Sequence, residues 1–156
     1  MRRIVFRFAL ITFPLLVLLV VEFSLRYFQV GLDGRLVLYS ERPQDGRNYF
    51  LNPRVDLAYC QDDLRGPEPL GFALPRPDRM IRILVVGESS VQGYPYSSEL
   101  AFPRRMQILL QKQFPDRSIE VLNAGIVGVS SLPLEDLVSQ CEQVQPSLVV
   151  LYAGCL

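Results

Sequence analysis

The hydrophobic pattern of the C-terminal half of the chain alternates between two periods. Residues 83–86 form a short, continuous apolar run, which is typical of a parallel strand covered on both faces. Residues 119–122 and 148–152 form two further short, mostly apolar runs, which predict two more strands. Between them, residues 102–114 and 134–144 repeat apolar side chains every three or four positions, as amphipathic helices do. A strand–helix–strand–helix–strand order predicts the α/β fold class, with a parallel sheet and right-handed crossovers.

Each predicted helix has an apolar stripe that we expect to face the sheet. In the first helix the stripe consists of Met106, Leu109, Leu110 and Phe114. In the second helix it consists of Leu134, Leu137, Val138 and Cys141. Cys141 is therefore predicted to be a buried, small hydrophobic residue.

The N-terminal segment is the most apolar part of the chain. Arg2, Arg3 and Arg7 precede an uncharged run over residues 8–21, and apolar character extends over residues 4–28. About 20 apolar residues are enough for a helix to cross a bilayer, so one transmembrane helix is predicted. The arginines place the N-terminus in the cytoplasm. The chain is thus expected to be a single-pass inner-membrane protein whose remaining residues lie outside the cytoplasm.

A cleavable signal peptide is the alternative for this segment, because its charge-free core is short. No small-residue cleavage motif follows that core, since the next residues are Glu22, Phe23, Ser24, Leu25 and Arg26. The pattern therefore favours an uncleaved anchor.

Composition divides the chain into three regions. Residues 1–28 are predicted to be the membrane anchor, and residues 81–156 the N-terminal part of a globular α/β domain. Residues 29–80 are rich in Gly, Pro, Arg and Asp and keep no helical period, which predicts an extracytoplasmic linker or extension. Within it, residues 48–59 are apolar enough to pack against the domain, and residues 36–39 are compatible with a short strand.

Composition also excludes several classes of function. The 16 basic and 16 acidic residues balance, and no basic block follows the first residues, so no nucleic-acid partner is predicted. The chain has no histidine and only three cysteines, Cys60, Cys141 and Cys155, which leaves no plausible zinc cluster. We therefore expect no metal and no other cofactor.

The candidate chemistry lies in the turns that follow the predicted strands. Sites on parallel α/β sheets form beyond the carboxyl ends of the strands, and the strands here lead into Gly87, then Gly125 and Gly128, then Gly154. Ser89 follows the first strand, where a helical turn directs backbone N–H groups toward developing negative charge. Gly128 is placed to offer a second N–H group to the same oxyanion.

Plainer interpretations of residues 87–93 stay open. The run is compatible with an ordinary strand-to-helix turn, and Glu88 with a structural hydrogen-bonding residue instead of a base. A phosphate-binding loop is disfavoured, because Gly-x-Gly-x-x-Gly and a lysine after the turn are both missing. A nucleophilic Ser89 needs a neighbouring base, and this chain has no histidine to provide one.

Three blocks of residues together resemble the SGNH hydrolase superfamily, also called the GDSL type. Residues 87–93, Gly-Glu-Ser-Ser-Val-Gln-Gly, are similar to its first block, Gly-Asp-Ser-x-x-x-Gly, with Glu in place of Asp. Residues 123–128, Asn-Ala-Gly-Ile-Val-Gly, resemble the second block. Residues 145–154 resemble the strand that leads into the third block, Gly-x-Asn-Asp/Glu. The N-terminal anchor is similar to that of bacterial membrane-anchored members.

The resemblance implies a flavodoxin-like, three-layer sheet and a serine esterase that hydrolyses or transfers acyl groups. Lipid esters and O-acylated glycans are the substrates it implies. Ser89 would be the nucleophile, and the amides of Ser89 and Gly128 would be two oxyanion donors. The family's third donor is an asparagine, at a position that Leu156 occupies here, and its base is a histidine in a later Asp-x-x-His block that this chain lacks.

Two hypotheses account for this incomplete set of residues. A C-terminally truncated gene product is favoured, because the flavodoxin-like strand order 2-1-3-4-5 that the resemblance implies would leave the apolar third strand as an uncovered edge here, which promotes aggregation. The alternative is a non-catalytic, membrane-anchored binding or structural module. Under either hypothesis, we expect the esterase activity of this chain to be near background.

Overall fold

The computed structural model describes residues 2–28, 33–59 and 65–154. The chain forms two compact units, Met1–Leu32 and Asp33–Leu156. The first unit is helical, and all of the described strands belong to the second.

The first unit contains one long helix, α1, which runs over Arg2–Tyr27 and confirms the helical conformation expected for residues 4–28. Every residue from Leu15 to Val21 exposes its apolar side chain. Since consecutive residues lie about 100° apart around a helix, apolar surface surrounds α1 on all sides. Within the described part of the chain, however, no helix meets the length and hydropathy required of a membrane span, so the predicted transmembrane helix is not found there.

The second unit begins with a small antiparallel sheet. Its strands, in the spatial order β1-β2-β3, are β1 (Val37–Gln44), β2 (Arg47–Leu51) and β3 (Gly71–Phe72). A short helix, α2 (Asp56–Tyr59), lies between β2 and β3 in the sequence. The strand expected near residues 36–39 is confirmed as the start of β1, whereas β2 and β3 were not predicted.

A three-stranded parallel sheet follows and forms the centre of the unit. Its strands are β4 (Met80–Gly87), β5 (Ser118–Gly125) and β6 (Leu148–Tyr152), in the order β5-β4-β6. This arrangement confirms the α/β class, the parallel pairing and the strand order 2-1-3.

Helices connect the parallel strands. They are α3 (Ser89–Gln92), α4 (Phe102–Gln113) and α5 (Ser131–Ser139), and two 3₁₀ turns cover Ser98–Leu100 and Cys141–Val144. The helix predicted over residues 134–144 therefore begins earlier and is interrupted at Gln140. The amide of Gln140 donates to the Leu137 carbonyl over 3.1 Å, a tighter i-to-i+3 bond that ends the α-helix and leads into the 3₁₀ turn.

Two strands of the parallel sheet, β4 and β5, are covered on both faces. On one face, Leu84 and Val86 of β4 pack with Leu134 and Leu137 of α5 and with Phe72 of the antiparallel sheet. On the other face, β4 and β5 pack with α3 and α4; the residues there are Ile83, Val85, Val91, Ile119 and Val121, with Met106 and Leu110 against them. The core on the first of these faces also includes Leu51 and Val55, and Tyr49 and Tyr59 pack against it. This confirms that residues 48–59 pack against the domain.

Three residues assigned to the inner helix stripes are exposed instead. Leu109, Phe114 and Val138 all face solvent, whereas Met106 and Leu110 pack on the sheet. Leu109 lies about 100° around α4 from Leu110, so a helix that covers the sheet with Leu110 turns Leu109 outward. Cys141 is buried, as predicted.

A buried arginine joins the two sheets. Arg82 of β4 is fully buried, and its Nε lies 2.6 Å from Glu120 Oε2 on β5. Its guanidinium also donates to the carbonyls of Val144 (2.7 Å) and Ala73 (2.9 Å) and lies over the ring of Phe72. Glu120 thus neutralises the charge of Arg82, and the two carbonyls accept its remaining hydrogen bonds. A buried ion requires both kinds of partner.

β6 is an edge strand among the described strands. It pairs with β4 on one side only, and Leu148, Val149, Leu151 and Tyr152 are exposed. The uncovered apolar edge expected from the sequence is confirmed for this part of the chain.

Candidate active site

The carboxyl ends of the three parallel strands meet at one edge of the sheet. Gly87 pairs with Gly125 of β5 and with Tyr152 of β6. A Cβ atom on Gly87 would collide with the Tyr152 carbonyl oxygen and with Val91. Glycine therefore permits the close contact between β4, β6 and the turn that follows β4.

Ser89 lies at the first position of α3, immediately beyond this edge. The carbonyl of Glu88 accepts hydrogen bonds from the amides of Val91 and Gln92, each at 3.0 Å, and so closes the first turn. Gly93 ends the helix with a φ of 101°, a left-handed conformation that glycine adopts without strain. The helical turn predicted for Ser89 is confirmed, and its side chain is partly exposed.

α3 is fixed against β5 by a glycine and an asparagine. A Cβ atom on Gly125 would overlap the backbone of Gln92, so only glycine lets the helix approach this closely. Asn123 is buried, and its Nδ2 donates to the Val91 carbonyl over 2.9 Å while its Oδ1 accepts from the Gly125 amide at 3.0 Å. Asn123 thus bridges strand and helix and has a positioning role.

The loop after β5 returns toward the same edge. The amide of Ile126 donates to the Gly87 carbonyl over 3.0 Å, which ties the loop to the end of β4. Gly128 is exposed, with a φ of 75°. Among the described residues, no acceptor takes the amide hydrogen of Ser89 or of Gly128. The two amide donors lie on neighbouring turns, and both are thus available to a ligand.

Glu88 connects this site to the end of β6. The amide of Gly154 donates to Glu88 Oε1 over 3.2 Å. Gly154 has a φ of 100°, so the chain turns just beyond β6 in a conformation that suits glycine. The structural interpretation of Glu88 is therefore supported: its carboxylate holds a strand end.

Arg65 contacts both the loop after α3 and the loop after β5, and this role was not predicted from the sequence. Its carbonyl accepts from the Val127 amide at 2.9 Å, and its Nη1 donates to the Tyr96 carbonyl over 2.8 Å. The guanidinium carbon also lies 6.0 Å from the centre of the Tyr94 ring. Arg65 lies in a segment without periodicity, and its partners are about 30 and 60 residues further along the chain, so no local pattern indicated this role.

No general base accompanies Ser89 in the described structure. Its hydroxyl has no hydrogen-bond partner among the described residues, and the sequence has no histidine. Leu156, at the position where the resemblance implies an oxyanion asparagine, and Cys60 and Cys155 lie outside the described residues. Within the described residues, no cluster of His, Cys, Asp and Glu suits a metal ion.

Two described groups with strongly shifted pKa values belong to the packing of α5 and its neighbourhood. Burial raises the pKa of the Cys141 thiol to about 11. Burial, followed by a hydrogen bond to Asp136, raises the pKa of Tyr59 to about 12. Neither group belongs to the three turns around Ser89.

Comparison with known proteins adds no relative to this picture. No protein-family model, no curated protein and no solved structure matches the chain. The functional interpretation therefore depends on the geometry of the strand ends and on the residues that the turns carry.

Proposed function

We propose that the chain carries the nucleophile and two oxyanion donors of an SGNH-type serine ester hydrolase or acyltransferase. Ser89 is the nucleophile, and the amides of Ser89 and Gly128 are the donors. The observation that carries the proposal is the β4–β5 register, which pairs Gly87 with Gly125. The turns that hold Ser89 and Gly128 therefore leave the sheet side by side.

The proposed chemistry begins with attack by Ser89 Oγ on an acyl carbonyl. The Oγ–carbon bond forms as the hydroxyl proton passes to a base, and the carbonyl oxygen becomes an oxyanion. Each positioned donor is worth about 10²–10³ in rate. The leaving alcohol then departs with a proton, and water or a second hydroxyl takes the acyl group. None of these 156 residues is a histidine, so turnover by this chain alone is proposed to be near background.

The proposed substrates are acyl esters, either of a lipid or of an O-acylated glycan, and no cofactor takes part. We also propose that α1 attaches the chain to the inner membrane, with the second unit outside the cytoplasm. The continuous apolar surface around Leu15–Val21 supports attachment. The resemblance to bacterial membrane-anchored SGNH hydrolases supports the location of the second unit. Resistance of the full chain to alkaline extraction from membranes tests the attachment.

Imidazole rescue tests the role of Ser89. The full chain in mild detergent is incubated with a short-chain acyl ester, with and without free imidazole as a soluble base. We expect little turnover without imidazole. With imidazole, we expect one acyl group on the peptide that contains Ser89, detected by mass spectrometry. Ser89→Ala should remove this label, whereas Ser90→Ala, at the exposed neighbouring position, should keep it.

Two outcomes would overturn parts of the proposal. Equal labelling of the Ser89→Ala variant and the original chain would show that Ser89 is not the nucleophile, and would favour the non-catalytic binding module. Rapid Ser89-dependent turnover without imidazole would show instead that the site already has a base, and would contradict the expected inactivity.

A further inference from the structure

The outer face of α4 carries an apolar groove that the sheet does not use. Leu100, Ile108 and Leu109 line a groove of about 380 Å³, together with Glu99 and Arg105. All three aliphatic side chains are more than half exposed. The opposite face of α4 already packs on the sheet, so these residues contribute nothing to the described core.

Positive charge surrounds these aliphatic side chains. Arg104 and Lys112 lie one helical turn before and after Ile108, and Arg105 lies one turn before Leu109. All three cations are exposed. None of them forms an ion pair within the described residues. Two acids lie near these cations: Glu99 lines the groove, and Glu68 lines a separate small crevice together with Arg104. Three cations and two acids still leave a net positive charge.

We propose that this face is a docking surface for an anionic phospholipid bilayer. The α4 surface is defined as Leu100, Arg104, Arg105, Ile108, Leu109 and Lys112. Exposed aliphatic side chains beside lysine and arginine suit the surface of such a bilayer. The aliphatic groups enter the boundary of the acyl chains, while the cations contact the lipid phosphates. The proposal goes beyond the ester chemistry, since it requires neither Ser89 nor Gly128.

Charge complementarity favours a lipid surface over a second copy of the chain. Two copies of this face brought together would place net positive charge against net positive charge, which is unfavourable at short range. A bilayer with negatively charged headgroups instead attracts each of the three cations. Each cation is expected to raise the binding constant about fivefold.

A single-tryptophan experiment tests the α4 surface in the full chain. The sequence contains no tryptophan, so Leu109→Trp creates a unique fluorescent probe at a side chain that is 66% exposed. Leu132→Trp on α5, where the leucine is 77% exposed, is the matched control. Each variant is mixed with vesicles of phosphatidylcholine alone or of phosphatidylcholine with phosphatidylglycerol, with and without brominated acyl chains.

We expect a blue shift and bromolipid quenching of the Leu109→Trp variant on the anionic vesicles, and little of either for Leu132→Trp. Changing Arg104, Arg105 and Lys112 together to Gln should lower the ratio of docked to undocked probe by about fivefold per cation removed. Attachment through α1 is expected on both the neutral and the anionic vesicles, whereas docking of the α4 surface is expected on the anionic vesicles alone. Failure of the α1 attachment can therefore be distinguished from failure of the α4 surface to dock.

Several results would overturn the proposal. One is an absence of quenching on anionic vesicles in both the Leu109→Trp variant and a second variant, Ile108→Trp, each with circular dichroism like that of the original chain. Another is equal quenching on neutral and anionic vesicles. A blue shift that appears without lipid and grows with protein concentration would assign the surface to a second copy instead.

Discussion

The amide of Gly154 donates a hydrogen bond to Glu88 Oε1 over 3.2 Å. The acidic residue next to the candidate nucleophile is thus bound to the end of a neighbouring strand. One carboxylate links the turn after β4 to the chain beyond β6, two segments that are 66 residues apart. This contact gives Glu88 a structural role that does not require proton transfer.

Removing the Glu88 carboxylate should loosen the end of β6. We expect Glu88→Ala to speed hydrogen exchange at the Gly154 amide and to lower the free energy of unfolding by about 1 kcal/mol, the typical net value of a hydrogen bond. Glu88→Gln keeps an oxygen acceptor and should have a smaller effect. Glu99→Ala, at an exposed acid, is the control. Unchanged Gly154 exchange in Glu88→Ala would contradict this role.

The buried ion pair should matter far more for stability than the exposed one. Arg82→Met leaves Glu120 and two carbonyls without their donor, so we expect a loss of about 3 kcal/mol in the free energy of unfolding. Arg35→Met is the matched control, because the Arg35–Asp33 pair is 2.7 Å long but its side chains are 72% and 42% exposed. Its loss should stay below about 1 kcal/mol. Urea unfolding in detergent measures both, and similar losses would refute the distinction.

A methyl group at Gly125 should displace the helix that carries Ser89. The added Cβ overlaps the backbone of Gln92, and a backbone atom cannot move aside as a flexible side chain does. We expect Gly125→Ala to lower the free energy of unfolding by about 1–3 kcal/mol and to reduce acyl labelling of Ser89. At Gly34, a Cβ would lie 3.5 Å from Ala58 Cβ, an ordinary contact. Gly34→Ala should therefore leave both measurements nearly unchanged, and equal effects at the two glycines would contradict the close-approach argument.

The buried thiol of Cys141 should make stability depend on alkaline pH. Its folded pKa of about 11 lies above the value near 9 of an unfolded thiol. The folded state therefore keeps a proton that the unfolded state releases. The resulting stabilisation is fully present below about pH 9 and is lost as the pH rises to about 11, by at most about 3 kcal/mol.

Comparison of the original chain with Cys141→Ala isolates this effect, because the titration of Tyr59 is common to both. The difference in free energy of unfolding between the two chains should shrink as the pH rises through that interval. A difference that stays constant from about pH 8 to about pH 11 would show that the thiol is not the titrating group.

Local patterns were sufficient for several elements. The apolar run at residues 148–152 predicted β6 with its observed bounds, and the periodic segment from Phe102 predicted α4 to within one residue at its end. The sequence also contains a local hairpin signal. Asp45 and Gly46 connect β1 and β2 with positive φ at both positions, the conformation that an Asp-Gly pair in a two-residue hairpin favours. The hairpin was therefore predictable.

The contacts that build the candidate site were not predictable in this way. Three hydrogen-bonded pairs each span at least 32 residues of sequence: Glu88 with Gly154, Arg65 with Val127, and Asn123 with Val91. Periodicity and turn composition describe neighbours along the chain, so they do not indicate which distant partner a side chain meets. The same limit explains why Leu109 was assigned to the wrong face of α4.

The sequence by itself determined the alternation of strands and helices, the parallel sheet and the position of Ser89 just beyond β4. These features follow from local hydrophobic period and turn residues, which act over a few positions. Only the tertiary structure decided that Phe72 of β3 packs against the parallel sheet, that Asn123 and Gly125 fix α3, and that Glu88 holds the end of β6. These features depend on close packing and hydrogen bonds between distant segments, which form only once the strands are in register.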